Sequence, residues 1–210
     1  MSQELIAAIK RHDAVQVRAL LAGGADPNEP QSKWPGLRPL QVAINELSDG
    51  GEFDVVLALI EHGADVNAWD VERDMTPLLV AVCENELAAV EALLKAGAEP
   101  NVCSSEGDTP LRACVERGNV GMAILLLGAG ATRTINDWGG LTGYTALGHA
   151  ARRLDLPMIK LLLDAGADPR APDEDGRPAH YRLPPRAESD SQTWDAAFEL
   201  LGGAKDRMPL

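Results

Sequence analysis

The sequence reads Thr-Pro-Leu at residues 76–78 and Gly-Ala-Glu-Pro-Asn at residues 97–101, and both stretches recur along the chain. Copies of the second stretch begin at Gly24, Gly63, Gly97, Gly130, Gly166 and Gly203, in steps of 39, 34, 33, 36 and 37 residues. Copies of the first lie at residues 39–40, 109–111, 145–147 and 177–179. Because two markers keep the same spacing over the whole chain, the sequence is built from an internal repeat.

Each repeat predicts two short helices. Thr76 and Thr109 stand where a hydroxyl can cap a helix N-terminus, and the proline that follows each one suits the first helical position. A first helix is expected over residues 78–84, followed by a turn near Asn85 and a second helix over residues 87–94.

The second helix is amphipathic, which predicts that one of its faces is buried. The residues on that face are Leu87, Val90, Leu93 and Leu94. Gly97 then suits a left-handed helix end. The turn-rich residues 98–108 favour a projecting hairpin, and we call each such segment, between a second helix and the next first helix, a finger.

These residues resemble the ankyrin repeat, whose pattern is a Thr-Pro-Leu-His helix, a second helix and Gly-Ala-Asp-Val-Asn. The resemblance covers essentially the whole chain. It implies an all-α repeat solenoid of stacked helix-turn-helix units with projecting β-hairpin fingers. We expect a single ankyrin repeat domain over residues 1–210, with repeats at about 1–29, 30–67, 68–101, 102–135, 136–170 and 171–210.

The chain departs from the family pattern in several places. The helix-start histidine is matched only by His180, and the residues that replace it are Gln41, Leu79, Arg112 and Gly148. We expect those helix starts to lose a local hydrogen bond. The second repeat carries an insertion at residues 47–50. Pro-Pro at residues 184–185 predicts a short first helix in the last repeat, where Trp194 should cap the core.

Composition and charge exclude several classes of protein. The 210 residues carry 19 Lys and Arg against 32 Asp and Glu, a net charge of −13, which argues against nucleic-acid or anionic-membrane binding. No apolar run is long enough to span a membrane. Three cysteines without CxxC spacing suggest reduced thiols and a cytoplasmic location, although a periplasmic or secreted one stays open.

No catalytic constellation emerges from the motifs. The four histidines fall in different repeats, and no pair has metal-ligand spacing. Cys114 occupies a small-residue helix position that suggests packing, while Cys103 lies in a finger. The acidic run at residues 173–175 lacks the pattern of a calcium loop. We therefore expect no enzymatic activity, no metal and no cofactor.

The resemblance implies that a partner protein docks on a concave surface made of fingers and first helices. The finger candidates for partner binding are Trp34, Trp69, Glu72, Arg73, Trp138 and Tyr144, and the candidates at the ends of the first helices are Asn45, Glu46, Glu84, Glu116, Arg117, Arg152 and Arg153. Exposed Trp and Tyr are enriched among the residues that dominate interface energies. The alternatives left open are that the rings pack on neighbouring fingers and that the charges are merely solvated.

The favoured function is a monomeric protein-interaction module without chemistry of its own, whose partner is another protein with a basic surface. A dedicated inhibitor or immunity protein that neutralises an enzyme or toxin is the first alternative. A groove that binds a small ligand or catalyses a reaction is the second. A fragment of a larger protein is disfavoured, because the sequence starts with Met1 at a capping repeat.

Overall fold

The computed structural model describes residues 2–31, 36–70 and 74–203. The chain divides into two compact units, Met1–Val102 and Cys103–Leu210. The helices of the N-terminal unit are α1 (Ser2–Lys10), α2 (Ala14–Ala22), α3 (Pro39–Glu46), α4 (Phe53–Glu61), α5 (Pro77–Cys83) and α6 (Leu87–Lys95). Those of the C-terminal unit are α7 (Pro110–Arg117), α8 (Val120–Gly128), α9 (Ala146–Arg152), α10 (Leu156–Asp164) and α11 (Ser191–Leu200).

The helices of the N-terminal unit form two rows. The first helices α1, α3 and α5 pack side by side, and the second helices α2, α4 and α6 pack behind them. Leu5, Ile44, Leu59, Leu78 and Leu93 are fully buried between the two rows.

The C-terminal unit repeats this arrangement. α7 packs on α8 and α9, and α10 packs on α8, α9 and α11. A short antiparallel hairpin precedes α9 and joins β1 (Trp138–Gly139) to β2 (Tyr144–Thr145). The predicted β-hairpin finger is therefore present in this repeat.

The predicted threonine caps are confirmed. The Oγ1 atoms of Thr76 and Thr109 each accept a hydrogen bond, at 3.3 Å, from the backbone N–H three residues later. Thr145 caps α9 in the same way at 3.0 Å. Pro77 and Pro110 each occupy the first residue of their helix, where no N–H is needed.

The asparagines of the repeated stretch link one repeat to the next. Asn28 donates from Nδ2 to the carbonyl of Gly63 at 2.9 Å and accepts at Oδ1 from the N–H of Asp65 at 2.7 Å. Asn67 makes the same pair of bonds to Gly97 and Glu99, at 3.1 and 2.8 Å. These ladders explain why asparagine recurs at this position, since its amide can donate and accept at once.

Two details of the predicted pattern are wrong. Leu87 was expected on the buried face of α6, but it is 45% exposed because it is the first residue of the helix, and Ala89, Val90 and Leu93 form the buried face. The helix start at Gln41 does not lose its hydrogen bonds. Gln41 accepts from the N–H of Arg38 at 3.1 Å and donates to the carbonyl of Met75 at 3.0 Å.

The last repeat ends as the sequence indicates. Its first helix is reduced to a 3₁₀ turn at Ala179–Arg182, and a second 3₁₀ turn follows at Arg186–Glu188. Trp194 on α11 is 6% exposed, stacks on Phe198 with ring centroids 4.9 Å apart, and donates from Nε1 to the carbonyl of Pro184 at 2.8 Å. This indole closes the end of the core.

Candidate protein-binding surface

In the N-terminal unit, acidic residues stand at the ends of neighbouring first helices. Glu46 ends α3, and Glu84 follows the last residue of α5. Because α3 and α5 pack side by side, the two carboxylates occupy equivalent positions on adjacent helices. Glu84 is exposed, whereas Glu46 is half-buried and lies 3.1 Å from Nε2 of His12.

Asn45, beside Glu46, is half-buried. Its buried Oδ1 has no hydrogen-bond partner among the described residues, and an orphaned buried acceptor costs stability. Because this oxygen is buried, Asn45 offers a partner at most the part of its side chain that stays exposed.

Trp69 is the described aromatic residue in a finger of the N-terminal unit. This residue is 36% exposed, and it stands before Asp70, whose N–H donates to the carbonyl of Met75 at 2.9 Å and closes the finger. Three other predicted contact residues, Trp34, Glu72 and Arg73, lie outside the described part of the chain.

In the C-terminal unit, the corresponding helix ends carry arginines. Glu116 and Arg117 end α7, Arg152 ends α9, and Arg153 follows it. All four are exposed. The guanidinium of Arg153 donates from Nη1 to the carbonyl of Glu116 at 3.4 Å, so the structure brings the two helix ends together.

Two basic side chains are buried below this exposed group. Arg112 is 2% exposed, donates to the carbonyl of Gly107 at 3.1 Å and forms an ion pair with Asp108. His149 is 3% exposed, and its Nε2 lies 3.0 Å from Oγ1 of Thr142 in the hairpin turn. Burial, with the nearby positive charges, lowers the pKa of His149 to about 4, so the imidazole is neutral near pH 7.

The charges that act on His149 define its surroundings. Besides burial, the guanidinium groups of Arg112, Arg152 and Arg153 lower its pKa, and the carboxylate of Asp108 opposes them. The buried ring therefore lies under a region of positive potential.

The hairpin finger exposes one aromatic ring and covers another. Trp138 is 49% exposed. Tyr144 is half-buried, because the guanidinium of Arg182 lies 4.2 Å from its ring centroid. Arg182 is held in turn by the carboxylates of Asp173 and Asp175, at 2.5 and 2.6 Å. Of these two predicted contact residues, Trp138 is therefore the more accessible to a partner.

Glycine residues set the spacing of the fingers in the C-terminal unit. Gly140 donates its N–H to the carbonyl of Glu106 at 2.6 Å, and the backbone N–H of Glu174 donates to the carbonyl of Gly143 at 3.0 Å. A Cβ on Gly139 would lie 2.7 Å from the backbone of Gly107. Sequence reasoning missed this role, because it assigned the glycines mainly to helix ends. The Gly-Gly pair at residues 139–140, inside a finger, was the available signal.

The described residues show little that resembles a reactive centre. No group of three or more histidine, cysteine or carboxylate side chains among them could hold a metal ion. Burial raises the pKa of the Cys114 thiol to about 12, so this thiol stays protonated. No helix within residues 2–31, 36–70 and 74–203 is long and apolar enough to cross a membrane.

Comparison with known proteins identifies the family of proteins to which this fold belongs. The family model of ankyrin repeats (3 copies) matches residues 5–102 and 78–173. The chain therefore belongs to the ankyrin repeat family, and the predicted all-α repeat fold is confirmed. This family is a non-catalytic protein-interaction fold, so the chain is a protein-interaction module.

Several curated proteins are similar to parts of the chain. Cyclin-dependent kinase 4 inhibitor B from Rattus norvegicus is 35% identical over 115 residues, which are 55% of this chain and 83% of that protein. NF-kappa-B inhibitor alpha from Sus scrofa is 30% identical over 161 residues, 68% of this chain and 50% of that protein. The B-cell lymphoma 3 protein homolog from Mus musculus is 36% identical over 98 residues, 47% of this chain and only 21% of that protein.

Proposed function

We propose that residues 1–210 form a single, monomeric, cytoplasmic ankyrin repeat domain that holds one partner protein without catalysing a reaction. The partner contacts the fingers and the ends of the first helices. The observation that carries this proposal is the exposure of Trp69 and Trp138, 36% and 49%, in fingers of a fold whose first helices end in charged residues. Large aromatic rings that stay accessible can bury much area on binding at a small cost in conformational entropy.

The proposed contact set keeps the residues expected from the sequence. In the N-terminal unit, the acidic ends of α3 and α5 favour a basic stretch of the partner. Tyr144 contributes only the part of its half-buried side chain that Arg182 leaves exposed, because Arg182 covers one face of its ring. Trp34, Glu72 and Arg73 complete the set on the basis of their finger positions in the sequence.

A second candidate function is inhibition of an enzyme or other effector. Two relatives are named as inhibitors, and the chain aligns with 83% of the shorter one, cyclin-dependent kinase 4 inhibitor B. A module that covers the working surface of its partner needs nothing more than a large, rigid contact area. Its acidic N-terminal unit would suit a basic target.

Affinity capture with matched variants tests the binding role. The immobilised chain should retain one stoichiometric protein from host lysate, and the double variant Trp69→Ala/Trp138→Ala should lose most of it. The control is Leu87→Ala/Ile124→Ala, which removes exposed apolar side chains, 45% and 53% exposed, from the second helices. This control should retain the partner.

The same experiment separates binding from inhibition. If the retained protein has a measurable activity, a stoichiometric amount of the chain should abolish that activity under the inhibitor hypothesis and leave it unchanged under the scaffold hypothesis. Equal retention by wild type and by the tryptophan variant would contradict the proposed contact surface.

A further inference from the structure

Three exposed arginines lie together on the C-terminal unit. Arg117 is the last residue of α7, while Arg152 and Arg153 stand at the end of the adjacent helix α9. Arg153 reaches across to the carbonyl of Glu116, and a Cβ on Gly118 would lie 2.5 Å from its Nη2. The guanidinium of Arg153 therefore lies over Gly118, immediately beside Arg117. We call these three side chains the arginine cluster.

The arginine cluster differs from three other arginines of the same unit, whose charges are neutralised by ion pairs. Arg112 pairs with Asp108, Arg182 with Asp173 and Asp175, and Arg186 with Asp195. Within residues 2–31, 36–70 and 74–203, no carboxylate forms an ion pair with a member of the cluster. Glu116 contributes one nearby exposed carboxylate, which leaves a net positive charge at these helix ends.

The cluster continues the surface formed by the hairpin finger. Arg152 and Arg153 follow His149 on α9 by three and four residues, so all three side chains share one side of that helix. His149 contacts the hairpin through Thr142, and a Cβ on Gly140 would lie 2.6 Å from the guanidinium of Arg112. The arginines therefore stand on the side of α9 that faces the fingers.

We infer that the arginine cluster is the docking site for an acidic peptide segment, rich in Asp and Glu, of the partner protein. This inference rests on the proposed function and adds the chemistry of the partner segment that contacts the C-terminal unit. Guanidinium groups match carboxylates because their N–H donors can form two parallel hydrogen bonds to one carboxylate. Because the whole chain carries a net charge of −13, most of its surface disfavours such a segment, so the cluster supplies both attraction and register.

Direct titration with a fluorescent Asp/Glu-rich peptide tests the inference without the natural partner. Wild type should bind this peptide and should not bind a Lys-rich peptide at the same site. Arg152→Glu/Arg153→Glu should weaken binding of the acidic peptide by about tenfold or more at low salt. Arg152→Lys/Arg153→Lys should lose less affinity than the Glu variant, because the charge is kept, but should bind more weakly than wild type, because lysine cannot form the two parallel hydrogen bonds.

The matched control reverses two exposed lysines on the second helices α6 and α10. Lys95→Glu/Lys160→Glu makes the same change in net charge and should alter the affinity by less than about twofold. The single variant Arg152→Glu, whose side chain makes no described contact, serves if the double variant fails to fold. Binding by wild type should also vanish at about 1 M salt, where charges are screened over roughly 3 Å.

Two results would overturn the inference. One is absence of binding of the acidic peptide, or equal loss in the cluster variant and its control. The other is tighter binding of a single-stranded oligonucleotide with the same dependence on the cluster, which would mean a general polyanion site. In either case, the proposed function would still be supported if the affinity capture retains a partner protein with wild type and loses it with the double variant Trp69→Ala/Trp138→Ala.

Discussion

The two units of the chain place charges of opposite sign at the same point of the repeat. In the N-terminal unit the first helices α3 and α5 end in Glu46 and Glu84, whereas in the C-terminal unit α7 and α9 end in Arg117, Arg152 and Arg153. The whole sequence follows this trend, with 7 Lys and Arg against 17 Asp and Glu in residues 1–105, and 12 against 15 in residues 106–210.

This difference shows which positions the fold constrains. Caps and core residues are alike in both units, because each helix pair needs a satisfied N-terminus and a buried apolar face. The helix ends and fingers carry no such requirement, so their side chains are free to differ. Charge complementarity gives a protein interface its specificity. The positions whose charge differs between the two units are therefore candidates for contact with a partner.

The largest expected effect is a matched loss of stability in the two cores. Leu93 in the N-terminal unit and Leu162 in the C-terminal unit are both fully buried on second helices. Replacing either by Ala should lower the free energy of unfolding by about 2–5 kcal/mol, because a cavity remains. Urea denaturation measures the loss of unfolding free energy, and Leu87→Ala, at an exposed position, is the control that should change it much less. A neutral Leu93→Ala would show that the repeat register is wrong.

Much of this core could be predicted from the sequence, because helix periodicity and caps are local properties. Leu93, Thr76 and Trp194 take the places expected for them. Leu87 does not, because periodicity identifies a face of the helix but cannot tell how far the packing extends toward the helix end.

The candidate surface was less predictable, because it depends on contacts between different repeats. No local pattern indicates that Arg182 covers the ring of Tyr144 or that Glu46 lies beside His12. The same holds for the close approach of Gly107 and Gly139. Exposure and pairing at these positions emerge only when the repeats are stacked.

A second prediction is that the stability of the C-terminal unit depends on pH in a way that the N-terminal unit does not share. The reason is that, among the described residues, a buried histidine lies in the C-terminal unit alone. His149 has a pKa of about 4 when folded and an ordinary value near 6.5 when unfolded. Between these two values the unfolded state binds the extra proton, so stability falls as the pH is lowered from about 6.5 toward 4. We expect a loss on the order of 1–2 kcal/mol between pH 7 and pH 5 from this residue.

Urea titrations at the two pH values check this loss. His149→Gln keeps an amide that can reach Thr142 and should reduce the pH dependence. His62→Gln, on an exposed position of the N-terminal unit, should leave it unchanged. Burial also lowers the pKa of His180, so a smaller dependence should persist in the His149 variant. An unaltered dependence in that variant would mean that His149 titrates normally.

A third, smaller effect is expected at the helix caps and should be equal in both units. The hydroxyls of Thr76 and Thr109 each accept one backbone hydrogen bond at 3.3 Å, and both residues are buried. Thr→Ala at either position should cost about 1 kcal/mol of unfolding free energy, while Thr→Ser should recover most of it. A marked difference between the two losses, measured by urea denaturation, would show that the units do not depend on the same capping interaction.

The smallest expected effect on stability lies in the fingers, whose aromatic rings we propose to be contact residues for the partner. Trp138 is 49% exposed, so Trp138→Ala should lower the unfolding free energy by about 1 kcal/mol or less. Trp69 is 36% exposed, so Trp69→Ala should lower the unfolding free energy somewhat more than Trp138→Ala, because more of the Trp69 side chain contacts the protein. Thermal and urea unfolding of the two single variants measure this order. A loss at Trp138 as large as that for Leu162→Ala would mean that the hairpin ring supports the fold, and partner binding would then have to depend on the charged helix ends instead.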